Sequence, residues 1–102
     1  INSELSCSGL QEVQFFNVND FSKVFNLLVK NNEIKEIPDY TFANFSRLEI
    51  LNLGSNKIES LNLNSFYGLR NLIELYLSYN KINIIKNRSF LGLENLKLLD
   101  LK

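Results

Sequence analysis

Few side chains in this sequence could carry chemistry. The chain has no histidine and a single cysteine, Cys7, so the commonest general base, the commonest metal ligand and an internal disulfide are all absent. It also has no phosphate-binding glycine loop, nucleophile elbow or paired metal-ligand motif. The best acid–base candidates are Glu74 and Asp100, because two nearby carboxylates can divide the roles of acid and base. We expect both to be solvated charges on a sheet face with Lys97 and Lys102 nearby, and therefore no catalysis, no cofactor and no bound metal.

The composition limits the class of partner. The 102 residues and 11.8 kDa are enough for one folded domain, and an apolar fraction of 45% is typical of a chain that buries a core. Eleven basic and eleven acidic residues give a net charge of 0, which favours neither nucleic acid nor an anionic membrane surface. The apolar runs are far shorter than the roughly 20 residues of a membrane-spanning helix. We therefore expect no nucleic-acid partner and no membrane segment in this chain.

The sequence repeats at a constant interval and without insertions, in units that begin at Val24, Leu48, Leu72 and Leu96. Positions one, four and six of each unit are apolar, position nine of the complete units is asparagine, and position nineteen is phenylalanine. Agreement at so many positions predicts stacked copies of one structural unit. The chain divides into a first segment, three complete repeats and a truncated repeat, which are residues 1–23, 24–47, 48–71, 72–95 and 96–102.

Each unit is predicted to contribute one strand to a parallel sheet. Side chains alternate along an extended segment, so positions four and six point into the core and positions three, five and seven point outward. Position nine can donate and accept hydrogen bonds in the turn after the strand, and the phenylalanine rings can stack beneath the outer wall. These two predicted ladders consist of Asn32, Asn56 and Asn80, and of Phe42, Phe66 and Phe90.

The pattern L-x-x-L-x-L-x-x-N-x-I-x-x-L, followed by a phenylalanine and a leucine, resembles the leucine-rich repeat over residues 24–102. The 24-residue length and the phenylalanine are similar to the subclass of extracellular proteins such as Toll-like receptor ectodomains, Slit proteins and insect cell-surface receptors. The resemblance implies an α/β fold, a leucine-rich repeat solenoid with a parallel sheet on its concave face. It also implies a non-enzymatic recognition module that binds a protein or microbial ligand, as innate-immune and adhesion receptors do. Dimerisation with another leucine-rich repeat protein is a second association that the family implies.

The first segment, 1–23, follows the repeat only in part. It is either a degenerate first repeat or the tail of an N-terminal cap, because the residues around Cys7 resemble the end of the cysteine-containing cap of extracellular leucine-rich repeat proteins. Three interpretations of Cys7 stay open: a disulfide to a residue upstream of Ile1, a buried structural thiol, or a reactive thiol. The residues predicted to occupy positions six, eleven, fourteen, nineteen and twenty-two of a preceding unit are Leu5, Leu10, Val13, Val18 and Phe21.

Both ends of the sequence suggest a piece of a longer chain. It contains no methionine and begins at Ile1, so we expect the start of translation upstream. The last unit stops in its strand, and an uncapped solenoid end exposes apolar surface and an open sheet edge. We therefore expect the parent protein to continue beyond Lys102.

The outward positions of the strands form the predicted binding surface. Several of them carry apolar or aromatic residues that the repeat does not require, and tyrosine provides contact area at small entropic cost. Four strands span only about 15 Å and a standard interface buries about 800 Å² per partner, so the chain is expected to hold part of a site. The predicted ligand-contacting residues are Leu28, Ile50, Asn52, Glu74, Tyr76, Tyr79, Leu98 and Asp100.

Two N-x-S sequons begin at Asn44 and Asn87, on the wall predicted to lie away from the sheet. We expect a glycan on at least one of them, and hence an extracellular or cell-surface location. Asn44 shares position twenty-one with Gly68 and Gly92, and both residue types suit a left-handed backbone. The alternative is a cytoplasmic leucine-rich repeat scaffold or regulatory arm, which a lone cysteine and a neutral surface also fit.

Overall fold

The computed structural model describes residues 4–6, 21–30, 32–86 and 88–102. Cys7, Leu10, Val13, Val18 and Asn87 lie outside these described residues. The elements, in chain order, are β1 (Glu4–Ser6), a 3-10 helix (Phe21–Lys23), β2 (Asn26–Leu28), β3 (Ile50–Asn52), β4 (Ser60–Leu61), β5 (Glu74–Tyr76), β6 (Ile84–Ile85) and β7 (Leu98–Asp100).

Five of the strands form one parallel sheet in the order β1-β2-β3-β5-β7. Leu27 lies opposite Leu51, and Leu75 lies opposite Leu99, so each of these strand pairs is offset by one sequence repeat. The strands β4 and β6 pair separately as a two-stranded parallel sheet. This arrangement confirms the predicted solenoid with a parallel sheet.

The register of β1 differs from the sequence-based assignment. Leu5 lies opposite Leu27, which occupies position four of its repeat, so the assignment of Leu5 to position six is wrong. Phe21, in contrast, packs edge-on against Phe45, which occupies position twenty-two, at a centroid distance of 4.9 Å. The interval from Leu5 to its partner Leu27 is therefore 22 residues, two fewer than the 24-residue repeat, and the two missing residues lie between Leu5 and Phe21.

The core lies on the inner side of the five-stranded sheet. The middle residues of β2, β3 and β5, which are Leu27, Leu51 and Leu75, are completely buried, and their neighbours along each strand are half-buried. This alternation follows from the two-residue side-chain period of an extended chain. On β7, which lies at the edge of the sheet, the corresponding Leu99 is 40% exposed.

Stacked phenylalanine rings support the outer wall, by which we mean the chain segments that return from one strand of the five-stranded sheet to the next. The rings of Phe42 and Phe66 lie 6.5 Å apart and within 6° of parallel. Those of Phe66 and Phe90 lie 6.0 Å apart and within 9° of parallel. The spine therefore repeats once per unit and sets the spacing of the units on this side.

The asparagines at position nine join each repeat to the one before it. The amide nitrogen of Asn56 donates to the carbonyl oxygens of Leu53 at 2.8 Å and Val29 at 3.0 Å, and its oxygen accepts from the Ile34 amide at 3.3 Å. Asn80 makes the same three contacts one repeat later. A buried carboxamide thus satisfies backbone groups that have no sheet partner at the turn.

A second polar ladder, which the sequence analysis missed, lies at position eighteen. The Ser65 hydroxyl donates to the carbonyl oxygen of Ile37 at 2.9 Å, and the Ser89 hydroxyl lies 3.2 Å from the carbonyl oxygen of Leu61. Both serines are almost completely buried. Thr41 occupies the same position in the preceding unit, so a hydroxyl residue recurs once in each complete repeat and is the signal that could have revealed the ladder.

Successive turns, rather than α-helices, build the outer wall of the described residues. Backbone amides donate to carbonyl oxygens three residues earlier, as Phe45 does to Phe42 at 3.0 Å. Gly68 has φ +93°, and a side chain there would meet the Ala43 backbone at 3.1 Å, so this turn requires glycine. Asn44 occupies the same position without a positive φ, so a left-handed backbone is confined there to Gly68 and Gly92.

Candidate binding face

The outward-pointing side chains of β2, β3, β5 and β7 form a continuous surface, called the sheet face below. Cross-strand register aligns them in two rows. The first row consists of Asn26, Ile50, Glu74 and Leu98. The second consists of Leu28, Asn52, Tyr76 and Asp100. Seven of the eight predicted contact residues therefore lie on one surface, because strands in register bring equivalent residues of successive repeats into neighbouring places.

The centre of the sheet face is a tyrosine held by a carboxylate. The Tyr76 hydroxyl donates to Oε1 of Glu74 at 2.6 Å, a short, charge-assisted hydrogen bond between alternate residues of β5. This bond raises the pKa of the Tyr76 phenol above its ordinary value of 10.0, and partial burial and the negative charges of Glu74 and Asp100 act in the same direction. The hydroxyl is therefore a protonated donor at physiological pH, and its ring is fixed in place on the surface.

Asn52 is fixed in a similar way. Its side-chain oxygen accepts from the Gly54 amide at 3.0 Å, and a β-carbon at Gly54 would come within 3.1 Å of that oxygen. The absence of a side chain at Gly54 therefore leaves room for the Asn52 carboxamide beside Tyr76. Leu28 and Ile50, on either side, are half-buried, while Leu98 is 41% exposed.

Tyr79 lies apart from the two rows, three residues beyond the end of β5. Its side chain is 78% exposed, and its backbone has φ +57°. A left-handed backbone is unfavourable for an aromatic residue by about 1–2 kcal/mol. The backbone amide of Tyr79 donates to the Lys102 carbonyl at 2.9 Å, which ties this turn to the neighbouring repeat. The structure thus holds a strained, solvent-exposed tyrosine at the margin of the sheet face.

Glu74 and Asp100 lie diagonally on adjacent strands, because Glu74 is opposite Leu98 and Asp100 is opposite Tyr76. Glu74 accepts a hydrogen bond from the Tyr76 hydroxyl, and Oδ1 of Asp100 accepts one from the Lys102 backbone amide at 3.2 Å. Each carboxylate is therefore engaged by a donor close to it in the chain. In the part of the chain that the structure describes, no group of three or more potential metal-ligating side chains comes together.

The sequon residue Asn44 is exposed on the outer wall, as is the Ser46 that completes its motif. Asn87 is outside the described residues, and Ser89 of its motif is 2% exposed. Among the described residues, no helix has the length and hydrophobicity needed to span a bilayer.

Comparison with known proteins identifies the fold family. The leucine-rich repeat family matches the sequence over residues 22–79 and 64–102. Among solved structures, the TLR13–ssRNA13 complex is similar with a TM-score of 0.82 and 37% identity, covering 94% of this chain and 14% of the TLR13 chain. Human 5T4, also named Wnt-activated inhibitory factor 1 or trophoblast glycoprotein, is similar in fold with a TM-score of 0.81 and 22% identity, covering 96% of this chain and 36% of that one. No curated protein matches the chain.

The chain belongs to the leucine-rich repeat family. Both the sequence pattern and the parallel solenoid sheet support this assignment. The family is generally a non-enzymatic protein-interaction fold, so the coarse function of this chain is that of an interaction module. The chain spans only 14% and 36% of the lengths of its two structural neighbours.

Proposed function

We propose that this chain is part of an extracellular leucine-rich repeat ectodomain that recognises a protein ligand, of host or microbial origin, through the sheet face. The observation that carries the proposal is the central group formed by Tyr76, Glu74 and Asn52. The interior of the repeat needs none of these three residues, yet each is positioned by a specific contact. A preorganised aromatic donor with the apolar residues Ile50 and Leu98 diagonal to it on the neighbouring strands has the composition of an interface hot spot.

Tyr79 supports the same proposal. The left-handed backbone at position eight belongs to the repeat, since Ser55 has φ +56° one repeat before Tyr79, but the fold does not require an exposed aromatic ring there. Its position beside the last strands would extend the surface that Tyr76 begins. We infer that the two rings contact the same ligand.

The charges of the sheet face favour a protein over a polyanion. The two rows carry Glu74 and Asp100 as anions, and position seven, just beyond the strands, adds Lys30 and Lys102 as cations, so the four charges sum to zero. A nucleic-acid surface depends on an excess of cations that neutralise phosphates, and no such excess is present on this face. The TLR13 structure contains single-stranded RNA, so RNA is the competing ligand class that an experiment must address.

An extracellular location is supported by the exposed sequon at Asn44 and by the resemblance to TLR13. The competing proposal is a cytoplasmic scaffold of the same fold. The two differ in whether Asn44 carries a glycan, a measurement considered in the Discussion.

The proposal is tested by photocrosslinking in the full-length parent protein on its native cells. A photoreactive phenylalanine analogue replaces Tyr76, Tyr79 or, as a matched control on the outer wall, the exposed Lys35. We expect one protein to be captured from positions 76 and 79 but not from position 35, and its purified form to lose affinity for the double variant Tyr76→Ala/Tyr79→Ala. Equal capture at all three positions, or undiminished affinity of the well-folded double variant, would exclude the sheet face as the site. Capture of RNA alone would show that the ligand is RNA rather than a protein.

A further inference from the structure

The outer wall contains an open groove with a volume of about 940 Å³. It is lined by residues of three consecutive repeats, which lie 6.0–6.5 Å apart on this side as judged from the phenylalanine spine. We call it the wall groove. It is distinct from the sheet face, since none of the residues in the two rows lines it.

Three arginines, one from each repeat, line the wall groove: Arg47, Arg70 and Arg88. The one acidic lining residue is Glu94, so the lining carries an excess of two positive charges. Among the described residues, one ion pair forms, between Lys57 and Glu33. In this part of the chain, none of the three arginines forms an ion pair. Three guanidinium groups without ion-pair partners make this part of a neutral molecule electropositive, and each can bind a carboxylate through two parallel hydrogen bonds.

The wall groove also presents apolar surface. Leu63, Tyr67 and Leu91 line it and are 47%, 57% and 67% exposed. The Tyr67 ring is held edge-on against Tyr40 at a centroid distance of 5.1 Å. Side chains of this kind gain by burial against apolar side chains of a partner, whereas a sulfated sugar chain would leave the two leucines without a matching surface.

Backbone strain coincides with this site. Arg88 has φ +67°, and Tyr40, at the same position two repeats earlier, has φ +66°. The left-handed region is unfavourable for both residue types. Arg88, a charged residue of the groove, and Tyr40, which supports the Tyr67 ring, thus occupy positions where glycine or asparagine would be less strained.

We propose that the wall groove binds an extended segment of a partner protein in which acidic residues alternate with apolar ones. An extended chain rises about 3.3 Å per residue, so about four residues would cross three repeats at the observed spacing. Its side chains point alternately to opposite sides, which offers carboxylates and apolar groups to the two sides of one groove. This interaction is additional to recognition by the sheet face and does not depend on it.

The test uses a fluorescent synthetic peptide of alternating glutamate and leucine and measures its anisotropy on titration with the full chain. We expect saturable binding that weakens as salt rises from about 50 to about 300 mM, because ion pairing at an open groove is screened. The variant Arg47→Gln/Arg70→Gln/Arg88→Gln should lose at least about tenfold in affinity, since each arginine contributes charge-assisted hydrogen bonds. A peptide of alternating lysine and leucine should not bind.

A matched control removes the same amount of charge elsewhere on the molecule. The variant Lys35→Gln/Lys57→Gln/Lys81→Gln changes three exposed cations outside the wall groove and should bind within about twofold of the unaltered chain. Thermal unfolding of both variants must match that of the unaltered chain. The wall groove is lined by Ala43 and Ser46, which are neighbours of the sequon residue Asn44, so a glycan at Asn44 would lie beside the groove. Peptide binding must therefore be seen both before and after enzymatic deglycosylation.

Three results would overturn the proposal. The first is absence of peptide binding at low salt. The second is an equal loss of affinity in the arginine and lysine variants, which would show attraction to net charge rather than to the wall groove. The third is arginine-dependent binding of a sulfated polysaccharide without binding of the peptide. None of these results bears on the sheet face, whose variant Tyr76→Ala should bind the acidic peptide unchanged.

Discussion

The hydroxyl of Tyr76 lies 2.6 Å from a carboxylate oxygen of Glu74, two residues earlier on the same strand. Alternate residues of a strand share a face, so the pair forms without any distant part of the chain. Asp100 faces the same tyrosine from the neighbouring strand. The result is an aromatic donor of fixed orientation in a locally negative environment.

This arrangement predicts a pH dependence. Tyr76 has its pKa raised by the bond to Glu74, so the neutral phenol is the form that the fold favours. The stabilisation is complete below the ordinary value of 10.0 and is lost as pH rises through the raised pKa. In Glu74→Gln the phenolate of Tyr76 should form at lower pH than in the unaltered chain. Ultraviolet absorbance of phenolate follows the ionisation, with Tyr76→Phe identifying the signal. An unchanged titration in Glu74→Gln would mean that the bond does not persist in solution.

Tyr79 should be replaceable without loss of stability. The change Tyr79→Asn keeps a residue that tolerates φ +57° and removes a ring that is 78% exposed, so the free energy of unfolding should stay level or rise by up to about 1 kcal/mol. Binding of the ligand captured at the sheet face should weaken, whereas Tyr79→Phe, which keeps the ring, should preserve it. Denaturant unfolding and affinity measured on the same samples separate the two effects. A stability loss above about 1 kcal/mol in Tyr79→Asn would mean that the tyrosine supports the fold.

The phenylalanine spine should dominate stability. Phe66 is buried and stacks on a ring to either side, so Phe66→Ala should reduce the free energy of unfolding by about 3–5 kcal/mol. Leu91→Ala, in the next repeat, removes a side chain that is 67% exposed and should cost less than about 1 kcal/mol. Urea unfolding monitored by circular dichroism compares them. Equal losses would show that the ring stack is not the main source of cohesion.

Periodicity predicts the inward residues because the core is made of identical neighbours. Leu51 and Phe66 each lie beside the same residue type one repeat away, so the requirement to bury them recurs in every repeat and is visible in the sequence. The same reasoning yields the solenoid and its parallel sheet. It fails for Leu5, because a repeat two residues shorter still presents leucines and valines at plausible intervals.

Features that do not recur as a residue type have no periodic signal in the sequence. The left-handed backbone at position eight occurs in both Ser55 (φ +56°) and Tyr79 (φ +57°), but neither residue type specifies that conformation. The arginines of the wall groove occupy three different repeat positions and come together only through the turns. Function in a repeat protein is therefore concentrated where the repeats differ, and there the structure must be known.

The serine ladder predicts a stability effect from a single hydroxyl. The Ser65 hydroxyl donates to the Ile37 carbonyl at 2.9 Å and accepts from the Asn62 amide at 3.0 Å, and the residue is completely buried. Ser65→Ala leaves both backbone groups unsatisfied and should reduce the free energy of unfolding by about 1–3 kcal/mol. In unglycosylated protein, Ser46→Ala changes an exposed serine and should have almost no effect. If both variants unfold like the unaltered chain, water must replace the lost hydroxyl at Ser65.

Glycosylation separates the extracellular proposal from the cytoplasmic one. Asn44 and Ser46 are both exposed on the outer wall, so a glycan at Asn44 fits the folded chain and leaves the sheet face open. Peptide mass mapping of the native full-length protein, with and without glycosidase, should show Asn44 modified, and Asn44→Gln should remove that mass without changing affinity for a ligand of the sheet face. The same digest reports whether Asn87 carries a glycan and whether Cys7 is a free thiol. An unmodified Asn44 and Asn87 together with a reduced Cys7 would contradict the secretory location and favour the cytoplasmic scaffold.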